Sequence, residues 1–121
     1  MAGTIQKLAV QIVRFVEEDA TCWVECQLVD AAGHHHKIID KVPMFTGEHL
    51  DGVSKYPQEG QVYCKVLARR TDEHGRDLVR VKTVRPTFVE STAGISEFLV
   101  RAGDLTELTD EELKWVAGAR R

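Results

Sequence analysis

A chain of 121 residues with 43% hydrophobic and 29% charged residues has the size and make-up of one ordinary globular domain, which excludes a disordered or collagen-like chain. Its formal charge of −3 argues against a generally basic nucleic-acid binder and leaves only a local basic face to consider. No apolar run approaches the ~20 residues of a membrane helix, so residues 1–121 read as a single soluble, cytoplasmic domain with no membrane partner.

Gln6, Gln11 and Arg14 interrupt the apolar N-terminal stretch, which predicts a strand over about Leu8 to Glu17 and not a signal peptide. Val10, Ile12, Val13, Phe15 and Val16 fall on both parities of a period-two pattern, so this strand is expected to be buried on two sides or to carry a bulge. Glu17-Glu18-Asp19-Ala20 then turns the chain. From Thr21 to Asp30, Cys22, Val24, Cys26 and Leu28 share one face of a second strand, and Trp23, Glu25 and Gln27 share the other. Ala31-Ala32-Gly33 suits a three-residue hairpin loop with glycine in the left-handed region, which sets His36 opposite Leu28 and Ile38 opposite Cys26. The third strand, His34 to Val42, stops at Pro43.

Asp72-Glu73-His74-Gly75 predicts a four-residue turn that pairs Thr71 with Arg76, Ala68 with Val79, Val66 with Val81 and Cys64 with Thr83. On the opposite face Leu67 meets Arg80 and Lys65 meets Lys82. Pro86 interrupts this strand, Thr87 to Glu90 resumes it, and Ile95 to Val100 reads as a last strand. Thr109 as N-cap with Glu112 three residues on forms a capping box, and Leu108 with Leu113 supplies a hydrophobic staple. A helix is therefore expected at about 110–117, with Leu113, Val116 and Ala117 facing the body and Gly118, Arg120 and Arg121 suiting its C-terminal end. The fold class is mainly β: a small antiparallel β-barrel or strongly curved sheet of five to six strands with one short C-terminal α-helix.

Three groups of residues offer chemistry. His34 and His36 point the same way in a strand, and with His49 they are the candidate metal ligands; the spacing matches no metal motif, and the plain reading is an exposed hairpin start. The long segment from Thr46 to Gly60 carries His49, Asp51 and Tyr56, which line a pocket or meet a partner if the loop is functional. Tyr63, Lys65, Arg80 and Lys82 share an outward face, with Trp23 on the same side, and aromatics among cations are what single-stranded nucleic acid needs.

Cys22 and Cys26 lie four residues apart on one strand, roughly 13 Å and so beyond disulfide reach. With Cys64 they make an odd count that suits buried reduced thiols. No phosphate loop, nucleophile elbow or HExxH pattern is present, so the reading is non-enzymatic and cofactor-free. The sequence thus points first to a protein-interaction module of inhibitor, immunity or accessory type, which binds a protein partner through an exposed sheet face or the Thr46–Gly60 loop, or self-associates through an unpaired strand edge. A nucleic-acid-binding small barrel is the alternative, and a metal-dependent enzyme using the histidines the third reading.

Overall fold

The first strand, β1 (Ile5–Glu17), is the strip on which the sheet assembles. In the computed structural model, which describes residues 4–17 and 22–119, it is followed by β2 (Trp23–Val29), β3 (His35–Lys41), β4 (Gln58–Thr71), β5 (Asp77–Lys82), β6 (Glu97–Arg101), the two-residue β7 (Leu105–Thr106) and helix α1 (Asp110–Ala119). All pairings are antiparallel, in the order β3-β2-β1-β4-β5-β6, and β7 adds to β1 at Lys7 and Leu8. The sheet curls into a half-barrel. Its two edges meet through backbone hydrogen bonds, the Ala31 N–H to the Leu99 carbonyl (2.8 Å) and the Thr92 N–H to the Lys37 carbonyl (2.8 Å). The expected turn at residues 18–20, the side chain of Ala117 and the residues Arg120 and Arg121 lie outside the described set.

The mixed parity of β1 resolves as two bulges. Ile12 stands opposite Cys26, Arg14 opposite Glu25 and Phe15 opposite Val24, so Val13 and then Val16 are extra residues. Leu8, Val10 and Ile12 face the core before the first bulge, and Phe15 packs against that core after it. In β2 the alternation is clean, with Val24, Cys26 and Leu28 buried. His36 lies opposite Leu28 and Ile38 opposite Cys26, as the loop length predicts.

Three turns share one construction. In Asp30–His34, Asp72–Arg76 and Ser91–Ile95, the first residue's N–H donates to the fifth residue's carbonyl (2.9, 2.9 and 2.8 Å). Its side-chain oxygen accepts the N–H groups two and four positions on. The fourth residue is glycine at φ 85°, 79° and 78°, a region that only glycine enters cheaply. This construction corrects the β4–β5 register. Asp72 closes on Arg76 around a three-residue loop, so Thr71 pairs with Asp77 and Ala68 with Arg80, one step from the expected partners. A bulge at Leu67 absorbs the step, and Val66 with Val81 and Lys65 with Lys82 pair as the pattern predicts.

Residues Thr87 to Glu90 do not resume the strand. Thr83, fully buried, donates its hydroxyl to the Val89 carbonyl (2.7 Å) and its N–H to the Ser96 carbonyl (2.8 Å), which folds the intervening chain into a loop. The core is completed by Phe45, Leu50 and Val89 from the connections. The capping box forms as expected, with the Thr109 N–H to Glu112 Oε1 at 2.9 Å and the Glu112 N–H to Thr109 Oγ1 at 3.2 Å. Val116 is buried, but Leu113 is 50% exposed and does not face the body. The helix instead turns Trp115 and Glu112 onto β4 and β1.

Gly60 marks the tightest approach in this framework. A Cβ there would lie 2.9 Å from Ile12 Cδ1 and 3.3 Å from the Phe45 carbonyl oxygen. Gly60→Ala is expected to destabilise the fold by about 1–3 kcal/mol in denaturant unfolding. Gly47→Ala, with open space around its Cβ, is expected to stay within about 0.5 kcal/mol of the parent.

Candidate functional site

The outward parity of β1 and β4 sets Lys7 opposite Tyr63, and α1 docks above this pair. Glu112 accepts the Lys7 ammonium at 3.0 Å through Oε1 and the Tyr63 hydroxyl at 3.2 Å through Oε2. Trp115 stacks on the Tyr63 ring with centroids 5.2 Å apart and planes 27° apart. The Thr109 N–H is the largest influence on the Glu112 carboxyl; against the opposing effect of burial, it and the Lys7 ammonium hold that group down to about 2. Burial, then the neighbouring carboxylate, pushes the Tyr63 phenol above its ordinary value.

Two clefts open on this outer face. One, of about 520 Å³, lies between α1 and the 3-10 turn Val42–Met44 and is walled by Met44, Phe45, Tyr63 and Trp115. The other, of about 590 Å³, crosses β2, β1 and β4 over Gln27, Gln11 and Gln61 and reaches Arg101 and Asp104. The amides line up by register, since Gln11 stands opposite Gln27 on one side and Glu59 on the other, while Ala9 stands opposite Gln61. Phe45, Thr46, Gly47 and Gln61 line both clefts, so the two adjoin along a shared wall and are taken together as one groove. The Phe45 carbonyl, accepting the Gln61 N–H at 2.8 Å, fixes this shared wall to the sheet.

The structure divides the expected site residues among separate places. Tyr63, Lys65, Lys82 and Arg80 share the outer face of β4 and β5, but Tyr63 lies under Trp115. Trp23 is on the outer face too, opposite Glu17 of β1 and with Lys41 Nζ 5.9 Å from its ring centroid. Tyr63 is opposite Lys7, so roughly 30 Å of strand separates the two aromatics. Asp51 builds its own loop, accepting the Val53 N–H (3.0 Å) and the Ser54 hydroxyl (3.1 Å), and the Tyr56 hydroxyl donates to the Asp51 carbonyl (2.7 Å). The Val53 N–H leads the interactions that hold the Asp51 carboxyl below its usual range. His49, beside it at 3.5 Å, is 82% exposed.

His34 and His36 lie at the opposite end of β3 from His49. His36 Nε2 donates to Asp30 Oδ2 at 2.9 Å and its ring meets Phe98 edge-on at 4.9 Å, so it is a packed, hydrogen-bonded residue. Burial would raise the Asp30 carboxyl, but the hydrogen bonds from His36 and from the His34 and Ala32 N–H groups outweigh it and lower the group. Among the described residues no three His, Cys, Asp or Glu side chains come together to hold a metal ion. The groove residues Gln11, Gln61, Met44 and Trp115 were not singled out in the sequence. An amide at outward parity in each of two strands was the available signal, and the β1–β4 pairing that aligns them was not readable.

Burial pushes the Cys26 thiol, helped by Asp40 and Glu25, and the Cys64 thiol up to about 12, while Cys22 is only half-buried. Native labelling with a thiol reagent is expected to modify Cys22 first and the other two only on unfolding; rapid reaction of all three would contradict the packing. Glu112 gives a pH signature. Its carboxyl drops from 4.5 to about 2 on folding, so its stabilising effect is full above pH 4.5 and is lost as pH falls toward 2. Glu112→Gln keeps the cap and is expected to flatten that part of the acid-unfolding curve and to weaken the near-ultraviolet signal of the Trp115–Tyr63 stack. Asp72, lowered to about 2 chiefly by the Arg76 N–H, acts equally in both proteins and cancels in the difference. No protein-family model, curated protein or solved structure matches this chain.

Proposed function

We propose that this chain is a non-enzymatic protein-interaction module that takes an extended segment of a partner protein along the outer-face groove. The observation that carries the reading is that the two clefts adjoin, sharing Phe45, Thr46, Gly47 and Gln61. One end offers the apolar surfaces of Met44, Phe45 and Trp115, and the other the amides of Gln11, Gln27 and Gln61. Amides both donate and accept without carrying charge, which suits recognition of a peptide backbone, and aromatic and methionine side chains supply adaptable anchors.

The titratable groups support recognition over proton transfer, because their interactions hold the fold: Glu112 fastens the helix, Asp51 its loop, and Asp30 and Asp72 their turns. No helix among the described residues is long and apolar enough to cross a membrane.

Selection from a displayed library of random peptides tests the proposal. Sequences are expected to enrich whose affinity falls at least ~10-fold with Gln61→Arg, which fills the shared wall, and stays unchanged with Glu73→Gln in the distant β4–β5 turn. Failure to enrich any sequence, or binding indifferent to Gln61→Arg, would contradict it.

A further inference from the structure

Across β1, β4, β5 and β6 the outer face presents one row in register: Ile5, Lys65, Lys82 and Glu97. Directly opposite residues of an antiparallel ladder stand ~4.5–5.5 Å apart at Cα, so two ammonium side chains are held next to each other, an arrangement that disfavours folding. Both lysines are half-buried, and Arg80 lies on the same face of β5. Four Lys and Arg side chains have a carboxylate within 4 Å among the described residues: Lys7 has Glu112, Arg14 has Glu25, Arg76 has Asp72 and Arg101 has Asp104. Lys65, Lys82 and Arg80 have none within 4 Å among the described residues. On a chain of net charge −3, Glu97 opposite Lys82 is the one carboxylate in register with this cluster, so three cations share one acidic neighbour across the strands.

We infer that Lys65 and Lys82 form a carboxylate-docking pair, flanked by Arg80, that receives an acidic residue of the partner segment seated in the groove. This rests on the interaction-module reading and names the partner's chemistry. Lys65 is one same-face position beyond Tyr63 on β4, ~7 Å along the strand, so a segment anchored against Trp115 reaches it within a few residues. The geometry favours an acidic peptide over a nucleic acid. Glu97 stands opposite Lys82, and Glu111 and Glu112 border the cleft beside Trp115, so negative charge brackets the cations at both sides. One or two discrete carboxylates fit between these groups, whereas a phosphate at every residue meets repulsion. Tyr63, the aromatic closest to the lysines on their strand, is covered by Trp115 and unavailable for base stacking.

The test uses the full chain at low salt with three probes of equal length: a short peptide alternating glutamate and leucine, the same peptide with glutamine for glutamate, and oligothymidylate. The glutamate peptide is expected to bind at least ~10-fold tighter than its glutamine counterpart, and the double variant Lys65→Gln, Lys82→Gln to erase that difference. Lys65→Gln alone, which removes the like-charge pair and keeps Lys82 opposite Glu97, is expected to raise Tm by about 1–4 °C, and a cooperative melting transition of the double variant shows that it folds. Lys55→Gln, an exposed lysine of the β3–β4 connection, is expected to change neither quantity. Oligothymidylate binding tighter than the glutamate peptide and lost in the double variant would overturn the carboxylate pair in favour of a nucleic-acid surface. A glutamine peptide that binds as well as the glutamate one, with affinity dependent on Gln61 and indifferent to both lysines, would overturn the pair while leaving the groove reading standing. Binding of none of the probes would overturn the pair as well.

Discussion

β1 pairs with β4 over Ile5–Ile12 on one edge and, on the other, with β7 at Lys7 and Leu8 and with β2 over Gln11–Glu17, and the rest of the fold depends on how it bends to satisfy them. A straight thirteen-residue strand would keep even-numbered residues inward throughout and drive Arg14 into the core. The extra residues at Val13 and Val16 shift the inward set from Leu8, Val10 and Ile12 to Phe15, and Arg14 emerges beside Glu25 at 2.9 Å. Each bulge also increases local twist, and the accumulated curvature brings the edges β3 and β6 close enough for Ala31 to bond Leu99 and Thr92 to bond Lys37. The closed inner face contains Ile12, Val24, Cys26, Leu28, Val62 and Cys64, all without measurable exposure.

Polar side chains are spent mostly on holding this backbone. Three short oxygen-bearing residues, Asp30, Asp72 and Ser91, satisfy the turn amides that a tight loop leaves unpaired, with glycine completing each turn. Asp51 does the same for the long connection, whose Leu50 is buried while Val53 stands in solvent. That connection is therefore a built lid over one end of the half-barrel and not an open crossover. His36 belongs to the same class: its ring is wedged between Asp30 and Phe98.

The outer face is where uncommitted chemistry remains. Docking of α1 has two opposed effects there. It covers Tyr63 and neutralises Lys7, which removes an aromatic and a cation from the surface. It also raises the wall of Trp115 that, with Met44 and Phe45, lines the cleft beside the helix. Lys65, Lys82 and Arg80 make no ion pair within 4 Å among the described residues, with Glu97 opposite Lys82 across the β5–β6 ladder. The outer face thus carries apolar side chains beside the helix, amides along β2, β1 and β4, and cations on β4 and β5.

Much of the architecture was legible from local pattern alone. Period-two alternation marked β2, the capping box of Thr109 and Glu112 marked the helix start, glycine at the fourth turn position marked the loops, and apolar residues on both parities of β1 announced a bulge. These features depend on neighbours within a few residues. The one-residue slip after Asp72 was not legible, because Asp72 can close a three- or a four-residue loop and only the pairing of Lys65 with Lys82 further along forces the Leu67 bulge. Nor was the outward turn of Leu113, since the helix rotates to bring Glu112 onto Lys7 and Tyr63, which lie 105 and 49 residues away in the chain. Sequence by itself determined the strands, turns and cap, which local hydrogen bonding and side-chain period decide. Tertiary structure alone decided that β1 pairs with β4, that Gln11 therefore aligns with Glu59 and Gln27, and that a groove exists, because those contacts are made between segments whose separation along the chain carries no periodic signal.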